Sequence, residues 1–382
     1  MDFALTEEQG LIRNNMREFA ERYVEPIAAE IDENNRHPVE LFRNLAEGGW
    51  MGIPIPEQYG GAGADFLTHA VAVEEVSRSC SSTGFTLSFH AGIIGIALLL
   101  SGTEDQKQKY LVPLAQGRHL GSFALTEPGA GTDVMSVSTH AVRDEQGYII
   151  NGTKTFVSNG PIADTYIVFC WTDKSAGRNG MSAFIVPRET PGLKPGEHFQ
   201  KMGLRSSQTS EVVFRDCWIP KENLLGDEGQ GLAIAMEGFE RGRIGIAAQA
   251  VGILQAALDE SIRYSKERMQ FGKPIARQQA IAWMIADMAT DLSAARLLTY
   301  HAAYLKDSNQ PFGKEASMAK LFATEAAMRH TVKAVQIHGG YGYIKGAKVE
   351  RLIRDAKIAE VYEGTSEAQR MVISGKILQR QG

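Results

Sequence analysis

Three parts of the chain combine glycine or hydroxyl residues with an aromatic ring or a charge, and they are where chemistry could occur. They are residues 123–133, residues 155–160, and a third group made of 336–342, 354–357 and 362–367. Glycine-rich turns with hydroxyl groups can hold a phosphate or the edge of a cofactor. Taken singly, each of these segments also has the composition of an ordinary turn.

The third group contains a carboxylate, Glu363, next to Gly364 and close to a predicted helix start. Ser366 and Gln369 have the spacing of a capping box, which predicts a helix beginning at Ser366. A helix N-terminus can accept an anionic phosphate, and a glycine lets the backbone approach a ligand closely. Spacing alone leaves open the alternative that Glu363 is a solvated loop carboxylate.

Several common chemistries have no motif in the sequence. No G-x-G-x-x-G follows a strand and opens a helix, and there is no H-E-x-x-H, no cysteine pair at zinc spacing and no G-x-S-x-G. Residues 147–154 resemble a phosphate-binding loop only superficially, because they end in Gly-Thr-Lys. A nicotinamide-type dinucleotide fold, a metal site and a serine hydrolase are therefore not indicated.

The composition is that of a folded globular protein. The 382 residues include 40 Lys+Arg and 45 Asp+Glu, a formal charge of −5 that provides no basic field for nucleic acid. Three well-separated cysteines and a start without a basic leader favour a reducing, cytoplasmic compartment. The uncharged stretch between Arg78 and Glu104 is continuously apolar only over 91–100, which favours a buried core helix over a membrane span.

The pattern along the chain predicts helices, then strands, then helices. Thr6 and Gln9 fit a capping box that opens the first helix, and further helices are expected near 38–47, 66–78, 84–100 and 104–116. Strands are expected at 166–171, 182–186 and 211–218, with a hairpin over 148–157 turning at Asn151-Gly152. Long helices over 233–268, 279–307 and 314–337 suggest a bundle. The predicted domains are 1–119, 120–226 and 227–382.

The sequence resembles the acyl-CoA dehydrogenase family over essentially its whole length. Three runs carry the resemblance: 125–133 (LTEPGAGTD), 268–275 (RMQFGKPI), and 354–357 (RDAK) with 362–365 (YEGT). The resemblance implies a multi-domain α and β fold with an N-terminal all-α domain, a middle antiparallel β-barrel and a C-terminal four-helix-bundle-like domain. It also implies a homotetramer.

The resemblance implies non-covalently bound FAD. The positions that match the flavin ring are Phe123, Leu125, Thr126, Phe156, Val157 and Ser158, and those that match the phosphates are Gly131 and Thr132. The positions that match the surroundings of the adenine half of a neighbouring subunit's FAD are Arg268, Phe271, Gln278, Gln279, Gln336, Gly339 and Gly340. The matching positions in the turn after Glu363 are Thr365, Ser366 and Glu367. The alternatives are a surface charge at Arg268 and a helix C-cap at Gly339-Gly340.

The resemblance implies that Glu363 is the general base that removes the α proton of an acyl-CoA. Some relatives carry the base at the position of Gly242, which cannot serve. Substrate-binding positions by the same resemblance are Thr132, Glu240, Arg243, Tyr362 and Gly364. For Glu240 and Arg243 the alternative is an ion pair on the face of a helix.

The expected activity is conversion of a short-chain acyl-CoA to the trans-2-enoyl-CoA, with electrons passed to an electron-transferring flavoprotein. The alternatives are a dehydrogenase or reductase for branched, cyclic or aromatic acyl-CoA, a flavin oxidase, and a non-catalytic FAD- or CoA-binding scaffold. Phe156 stands where many relatives have Trp, and residues 344–348 depart from the usual loop. Glutaryl-CoA enzymes carry an Arg in the segment matching 81–89, which here has no cation, with Gly84 at the expected position.

Overall fold

The computed structural model describes residues 4–378, and its first third is helical as expected. Thr6 caps α1, since its hydroxyl accepts from the Gln9 amide at 3.2 Å while the Gln9 side chain accepts from Thr6 N–H at 3.0 Å. The predicted capping box is confirmed. The α-helices of this part are α1 Glu7–Phe19, α2 Ala28–Glu33, α3 Val39–Glu47, α4 Phe66–Ser79, α5 Ser81–Phe89, α6 Ile96–Ser101, α7 Glu104–Gln106 and α8 Val112–Ala115.

The uncharged stretch forms a nearly continuous helix in the core. It comprises α5, a π-helical turn at His90–Gly95 and α6. The segment Ser81–Ser101 is long and apolar enough to cross a membrane, yet 89% of its most apolar window is buried inside the folded chain. Burial of this kind is typical of a core helix, as the sequence predicted.

The middle of the chain forms one eight-stranded sheet. The strands are β1 Gly121–Ala124, β2 His140–Arg143, β3 Gly147–Ser158, β4 Thr165–Trp171, β5 Met181–Pro187, β6 Leu193–Pro195, β7 Thr209–Pro220 and β8 Leu224–Leu225. Their order is β6-β7-β3-β2-β4-β5-β8, and β1 lies parallel to β4. The predicted strands at 166–171, 182–186 and 211–218 are confirmed as parts of β4, β5 and β7.

The prediction of a closed antiparallel barrel is wrong in its details. The end strands β6 and β8 do not pair with each other, and β1 makes a parallel pair. Closure needs a continuous ladder of hydrogen bonds around the sheet. The strand β6 has three residues and ends in a proline, and β8 has two residues. These strands offer too few hydrogen-bond donors and acceptors for that ladder.

The hairpin predicted at Asn151-Gly152 is also wrong. Residues 147–158 form one strand, β3, and the chain reverses earlier, at 144–146 between β2 and β3. Gly152, with φ of 152°, lies at a bulge against β7, where a Cβ would overlap the side chain of Thr139. The glycine is therefore required by close packing within the sheet rather than by a turn.

The last third is helical, and the predicted long helices are confirmed to within a few residues. The helices are α9 Gly231–Glu267, α10 Gln279–Asp307, α11 Gly313–His338, α12 Lys348–Ala359 and α13 Ser366–Leu378. A small hairpin, β9 Met269–Gln270 and β10 Lys273–Pro274, separates α9 from α10. The 37-residue α9 packs against α10 and α11 and against α4 and α5, so it joins the two helical parts.

Candidate active site

Glu363 lies in the turn between α12 and α13, and its carboxylate points inward. Its backbone has φ of 51° and that of Gly364 has φ of 93°, so two successive residues adopt the left-handed region. Such a conformation is uncommon for a residue with a side chain. The Oε2 atom of Glu363 is buried and has no hydrogen-bond partner among the described residues. The solvated-carboxylate alternative is therefore wrong.

Two buried side chains hold this turn through its carbonyl groups. Lys320 Nζ donates to the carbonyl oxygen of Gly364 at 2.7 Å, and the Gln369 amide donates to the same oxygen at 2.8 Å. The side-chain amide of Gln369 also donates to the Glu363 carbonyl oxygen at 3.3 Å. The backbone N–H of Glu363 donates to no other atom within residues 4–378.

The predicted helix start at Ser366 is confirmed, because α13 begins there, but the predicted capping box is wrong: the cap lies one residue earlier. The N-cap is Thr365, whose hydroxyl accepts from the Ala368 N–H at 3.2 Å, while the Ser366 hydroxyl is buried without a partner in the described chain. Gln369 does not reach back to a cap because its amide is used by the Glu363 turn. Glu367 is exposed in the first turn of α13.

Gly242 on α9 faces the carboxylate of Glu363 directly. A Cβ at position 242 would collide with Glu363 Oε2 and lie 2.6 Å from Ile93 Cδ1. The two positions that sequence reasoning named as alternative places for a base thus meet at one point. The bare backbone of Gly242 makes the space that the carboxylate occupies.

Burial and two cations set the charge state of Glu363. Enclosure in the protein raises the pKa of Glu363 to about 7, and the positive charges of Lys320 and Arg243 oppose this rise. A carboxyl group with a pKa near neutrality can both accept and release a proton at neutral pH. This combination is typical of a general acid or base.

Arg243 is buried beside the base, but the predicted alternative of an ion pair with Glu240 is wrong. No Glu240–Arg243 pair within 4.0 Å occurs in the described part of the chain; Arg243 instead lies 3.4 Å from the Ser317 hydroxyl, and its Nε is unpartnered. Burial lowers the pKa of Arg243. Glu240 is half-buried and touches the position where a Cβ of Gly313 would lie.

Tyr362 closes the space on one side of the base. Its ring stacks on Phe85 at a centroid distance of 4.9 Å, and its hydroxyl donates to the Gln249 side chain. Gln249 is itself fixed by donating to the Ser81 hydroxyl at 2.9 Å. The wall next to Glu363 is therefore packed and hydrogen-bonded, with components from α5 and α9.

A bulge in β3 exposes the aromatic ring of Phe156. The pairing of β3 with β7 shifts between Lys154 and Val157, and Phe156 there has φ of 52° and is 69% exposed. Val157 is buried and Ser158 is half-buried, while the Thr126 carbonyl accepts from Thr155 N–H at 2.8 Å. An exposed ring held in an uncommon conformation beside polar groups is typical of a binding surface.

Phe123 and Leu125 lie below that surface. Phe123 is 7% exposed and packs against Phe169 and Phe239, and the Leu125 carbonyl accepts from the buried Lys154 at 2.9 Å. The side chains of both residues belong to the core, so only their backbone can reach a ligand. Gly131 and Thr132 are exposed in the loop that follows.

The α9 helix brings this strand end close to Glu363. A Cβ on Gly238 would lie 3.8 Å from the Phe123 ring, and one on Gly242 would meet the Glu363 carboxylate. Residues four apart on a helix are about 6 Å apart along its axis. The base and the first strand of the sheet thus face the same stretch of α9, one turn apart.

Arg268, Gly339 and Gly340 line a cavity of about 590 Å³ at the C-terminal ends of α9 and α11, together with Tyr341. The Arg268 guanidinium lies 5.7 Å from the Tyr341 ring centroid. Gly339 is also the C-cap of α11 with φ of 58°, so the C-cap alternative holds alongside the cavity. Gln336 and Gln279 are exposed, and Gln278 is the residue before α10, where its side chain makes no capping hydrogen bond.

Phe271 projects from the hairpin next to Arg268. Phe271 and Gly272 have φ of 52° and 74°, as in a type I′ turn, and the Phe271 ring is 91% exposed. Sequence reasoning grouped Phe271 with Arg268, and the structure places both on one small element.

Sequence reasoning missed Lys320, Gln249 and Ile93, which surround the Glu363 turn, and it assigned Gln369 to a capping box rather than to the carbonyl groups of that turn. Lys320 could have been found, because it is a single lysine on a face of α11 otherwise lined by Ala316, Ala323 and Ala327. Nothing local in the sequence marks Ile93 or Gln249.

Family models of the acyl-CoA dehydrogenases match nearly the whole chain in three consecutive pieces. The N-terminal domain matches residues 6–118, the middle domain 122–217 and the C-terminal domain 229–378.

Proteins of known name and structure give the same result. A short-chain specific acyl-CoA dehydrogenase of Clostridium acetobutylicum is 52% identical over 99% of this chain and 100% of its own. Butyryl-CoA dehydrogenase from Megasphaera elsdenii is 45% identical, with a TM-score of 0.97 over 99% of this chain and 100% of that one. A chain from the structure of the electron transferring flavoprotein of Acidaminococcus fermentans is 49% identical, with a TM-score of 0.98 over 99% and 100%. With a glutamate at the motif position whose Oε2 atom is buried without a hydrogen-bond partner, and with these matches along its full length, the chain belongs to the acyl-CoA dehydrogenase family.

Proposed function

We propose that this protein is an FAD-dependent dehydrogenase of short-chain acyl-CoA that forms the trans-2-enoyl-CoA. The observation that carries the proposal is the Glu363 carboxylate, enclosed against Gly242 with one oxygen unpaired and a pKa of about 7. An unpaired buried oxygen with that pKa suits a base that takes a proton from an apolar substrate.

The α proton of a saturated thioester is weakly acidic, so its carbonyl oxygen must be stabilised as the proton leaves. The Glu363 N–H, which has no partner in residues 4–378, supplies a donor for that oxygen beside the carboxylate itself. Glu363 then takes the proton, and Gly364 gives the thioester room to approach. Bound FAD supplies the acceptor for the β hydride.

Features of the surface support FAD as that acceptor. The exposed Phe156 ring with Ser158 and the Thr126 backbone suits a planar ring bearing polar edges, and Gly131 and Thr132 offer an open loop for phosphates. The start of α13 at Thr365–Glu367, with Ser366 unpartnered, adds a helix N-terminus for negative charge. In this proposal the flavin ring would lie between the proposed domains 120–226 and 227–382.

The short-chain assignment rests on the relatives and on the wall formed by Tyr362, Phe85 and Gln249. Because these residues are stacked and hydrogen-bonded, they do not open readily for a long acyl chain. Glu240, half-buried on α9, is proposed to lie along the CoA portion, with Arg243 beneath it. We propose a cytoplasmic enzyme that passes its electrons to an electron-transferring flavoprotein.

The test is flavin bleaching by a panel of acyl-CoA thioesters without oxygen. Butyryl-CoA should bleach the flavin fastest, with branched, aromatic and long-chain thioesters slower. A protein that none of the thioesters bleaches would contradict the dehydrogenase proposal. Fast reoxidation of the reduced flavin by oxygen would indicate an oxidase instead.

We expect about one FAD per chain and a homotetramer that weakens when FAD is removed. Arg268 and the 91% exposed Phe271 sit on a projecting hairpin, where they can reach a neighbouring subunit's cofactor. The outer face of α10 also exposes large apolar side chains, with Trp283 at 61% and Tyr304 at 57%. Sedimentation of holo- and apoprotein measures the effect, with Glu211→Gln as a surface control. A monomer that retains FAD would contradict it.

A further inference from the structure

Lys320 is a buried cation for which the catalytic scheme above gives no role. It lies in the middle of α11 with no exposed surface, on a face shared with alanines such as Ala316 and Ala323. Burying an ammonium group is costly unless it is hydrogen-bonded or faces opposite charge. Its recorded hydrogen bond is to the carbonyl oxygen of Gly364, the residue after the base, at 2.7 Å.

We propose that Lys320 is a positioning residue for proton abstraction: it anchors the Glu363–Gly364 turn through the Gly364 carbonyl and places a positive charge opposite the Glu363 carboxylate. The inference rests on the proposed role of Glu363 as the base.

The anchoring follows from the backbone of the turn. Glu363 and Gly364 both have positive φ, and a left-handed glutamate persists only where its surroundings fix it. The direction of the Glu363 side chain depends on this backbone conformation. Lys320 and Gln369 converge on the Gly364 oxygen from α11 and α13, at 2.7 and 2.8 Å, and so hold the turn from two helices.

The positive charge of Lys320 also acts on the Glu363 carboxylate. The groups that act electrostatically on Glu363 are Lys320 from α11 and Arg243 from α9, with the Tyr362 hydroxyl beside it in the turn. Those that act on Lys320 are Glu363, Arg243, Glu360 at the end of α12 and Glu367 on α13. Burial lowers the pKa of Lys320 to about 8, and the nearby carboxylates oppose that change.

Removing the ammonium group should therefore raise the pKa of Glu363. A nearby opposite charge typically lowers the pKa of a carboxyl group by about 1–3 units. Activity requires the ionised carboxylate, so activity increases as the pH rises through the pKa of Glu363. The acid limb of the pH–rate profile should therefore move to higher pH when the cation is lost. A role in packing alone would lower the rate at every pH and leave the midpoint unchanged.

The experiment compares Lys320→Met, Lys320→Gln and Lys320→Arg holoenzymes. Anaerobic flavin reduction by butyryl-CoA is followed by stopped flow from pH 5.5 to 9. The acid-limb midpoint should rise by about one unit or more in the Met and Gln variants and return toward the wild-type value in the Arg variant. Lys333→Met, at an exposed lysine on the same helix α11, is the matched control and should behave like wild type.

A second readout does not depend on turnover. Infrared difference spectra between each holoenzyme and its Glu363→Gln counterpart follow the protonated carboxyl band of Glu363 as pH is varied. The same upward shift is expected in the Met and Gln variants. If butyryl-CoA bleaches none of the proteins, the proposed function fails, and the infrared titration still decides the role of Lys320.

An unchanged carboxyl titration in both neutral variants overturns the inference. So does a shift of equal size in Lys333→Met, because the effect would then be one of general charge. If both neutral variants fail to fold with FAD while Lys320→Arg folds with an altered midpoint, Lys320 is a packing residue and the inference is also wrong.

Discussion

Replacing Glu363 by glutamine is expected to leave a folded, FAD-containing protein that binds acyl-CoA but reduces its flavin about 10⁴-fold more slowly, or slower still. The amide has nearly the same size and fits the same enclosure against Gly242. It cannot accept the α proton at neutral pH. General-base contributions are typically about 10²–10⁴-fold, and the upper end applies because hydride departure needs the negative charge that develops at the α carbon.

No other carboxylate in the described chain is placed to rescue this variant. Gly242, the other position from which a base could act, has no side chain, and the surrounding charged groups are the cations Lys320 and Arg243. Stopped-flow reduction by butyryl-CoA without oxygen measures the step, and Glu211→Gln on the exposed side of β7 controls for loss of a carboxylate. Bleaching within a few-fold of the wild-type rate would show that Glu363 is not the base.

The helices were predictable because their signals are local. Apolar periodicity and few breakers gave α9, α10 and α11 to within a few residues, and Thr6 gave the start of α1. The same capping pattern predicted the start of α13 at Ser366 correctly, but its hydrogen bonds do not form. There a second hydroxyl residue, Thr365, takes the cap, and Gln369 is drawn to the carbonyls of the Glu363 turn. A capping box is decided by competition for its side chains, which the spacing does not record.

The sheet was less predictable because its contacts are distant in sequence. Asn151-Gly152 is a strong local signal for a turn, yet β3 continues through it, since β7 pairs along its length and Thr139 fills the space beside Gly152. Closure of the sheet likewise depends on the lengths of β6 and β8, and the turn residues in the sequence do not determine these lengths.

The residues of the candidate site also differ in how far the sequence predicts them. Glu363 and Gly364 follow from a motif, but the groups that set their conformation and charge come from α9, α11 and α13 and from the core helix that carries Ile93. Of these groups, Lys320 is recognisable in the sequence as a charged residue on an apolar helix face. The pKa of the base depends on burial and on facing cations, and so it becomes visible only in three dimensions.

Glutaryl-CoA is expected to be a poor substrate, oxidised about 10³-fold less efficiently than valeryl-CoA, which has the same chain length without the distal carboxylate. The segment that would have to pair that carboxylate is α5, Ser81–Phe89, which is buried and contains no charged residue. The cations near the base, Lys320 and Arg243, already face Glu363.

The position expected to carry a pairing arginine cannot simply be refilled. Gly84 packs against α4, where a Cβ would run into the Ser77 hydroxyl, so a longer side chain would have to displace the helix contact. A distal carboxylate would therefore be buried against a segment without a cation to pair with it, at a cost of several kcal/mol. Comparing kcat/KM for the two thioesters at one pH isolates the charge from the chain length. Equal efficiency for glutaryl-CoA and valeryl-CoA would show that the acyl chain does not end against α5, since this helix has no cation with which to pair the second carboxylate.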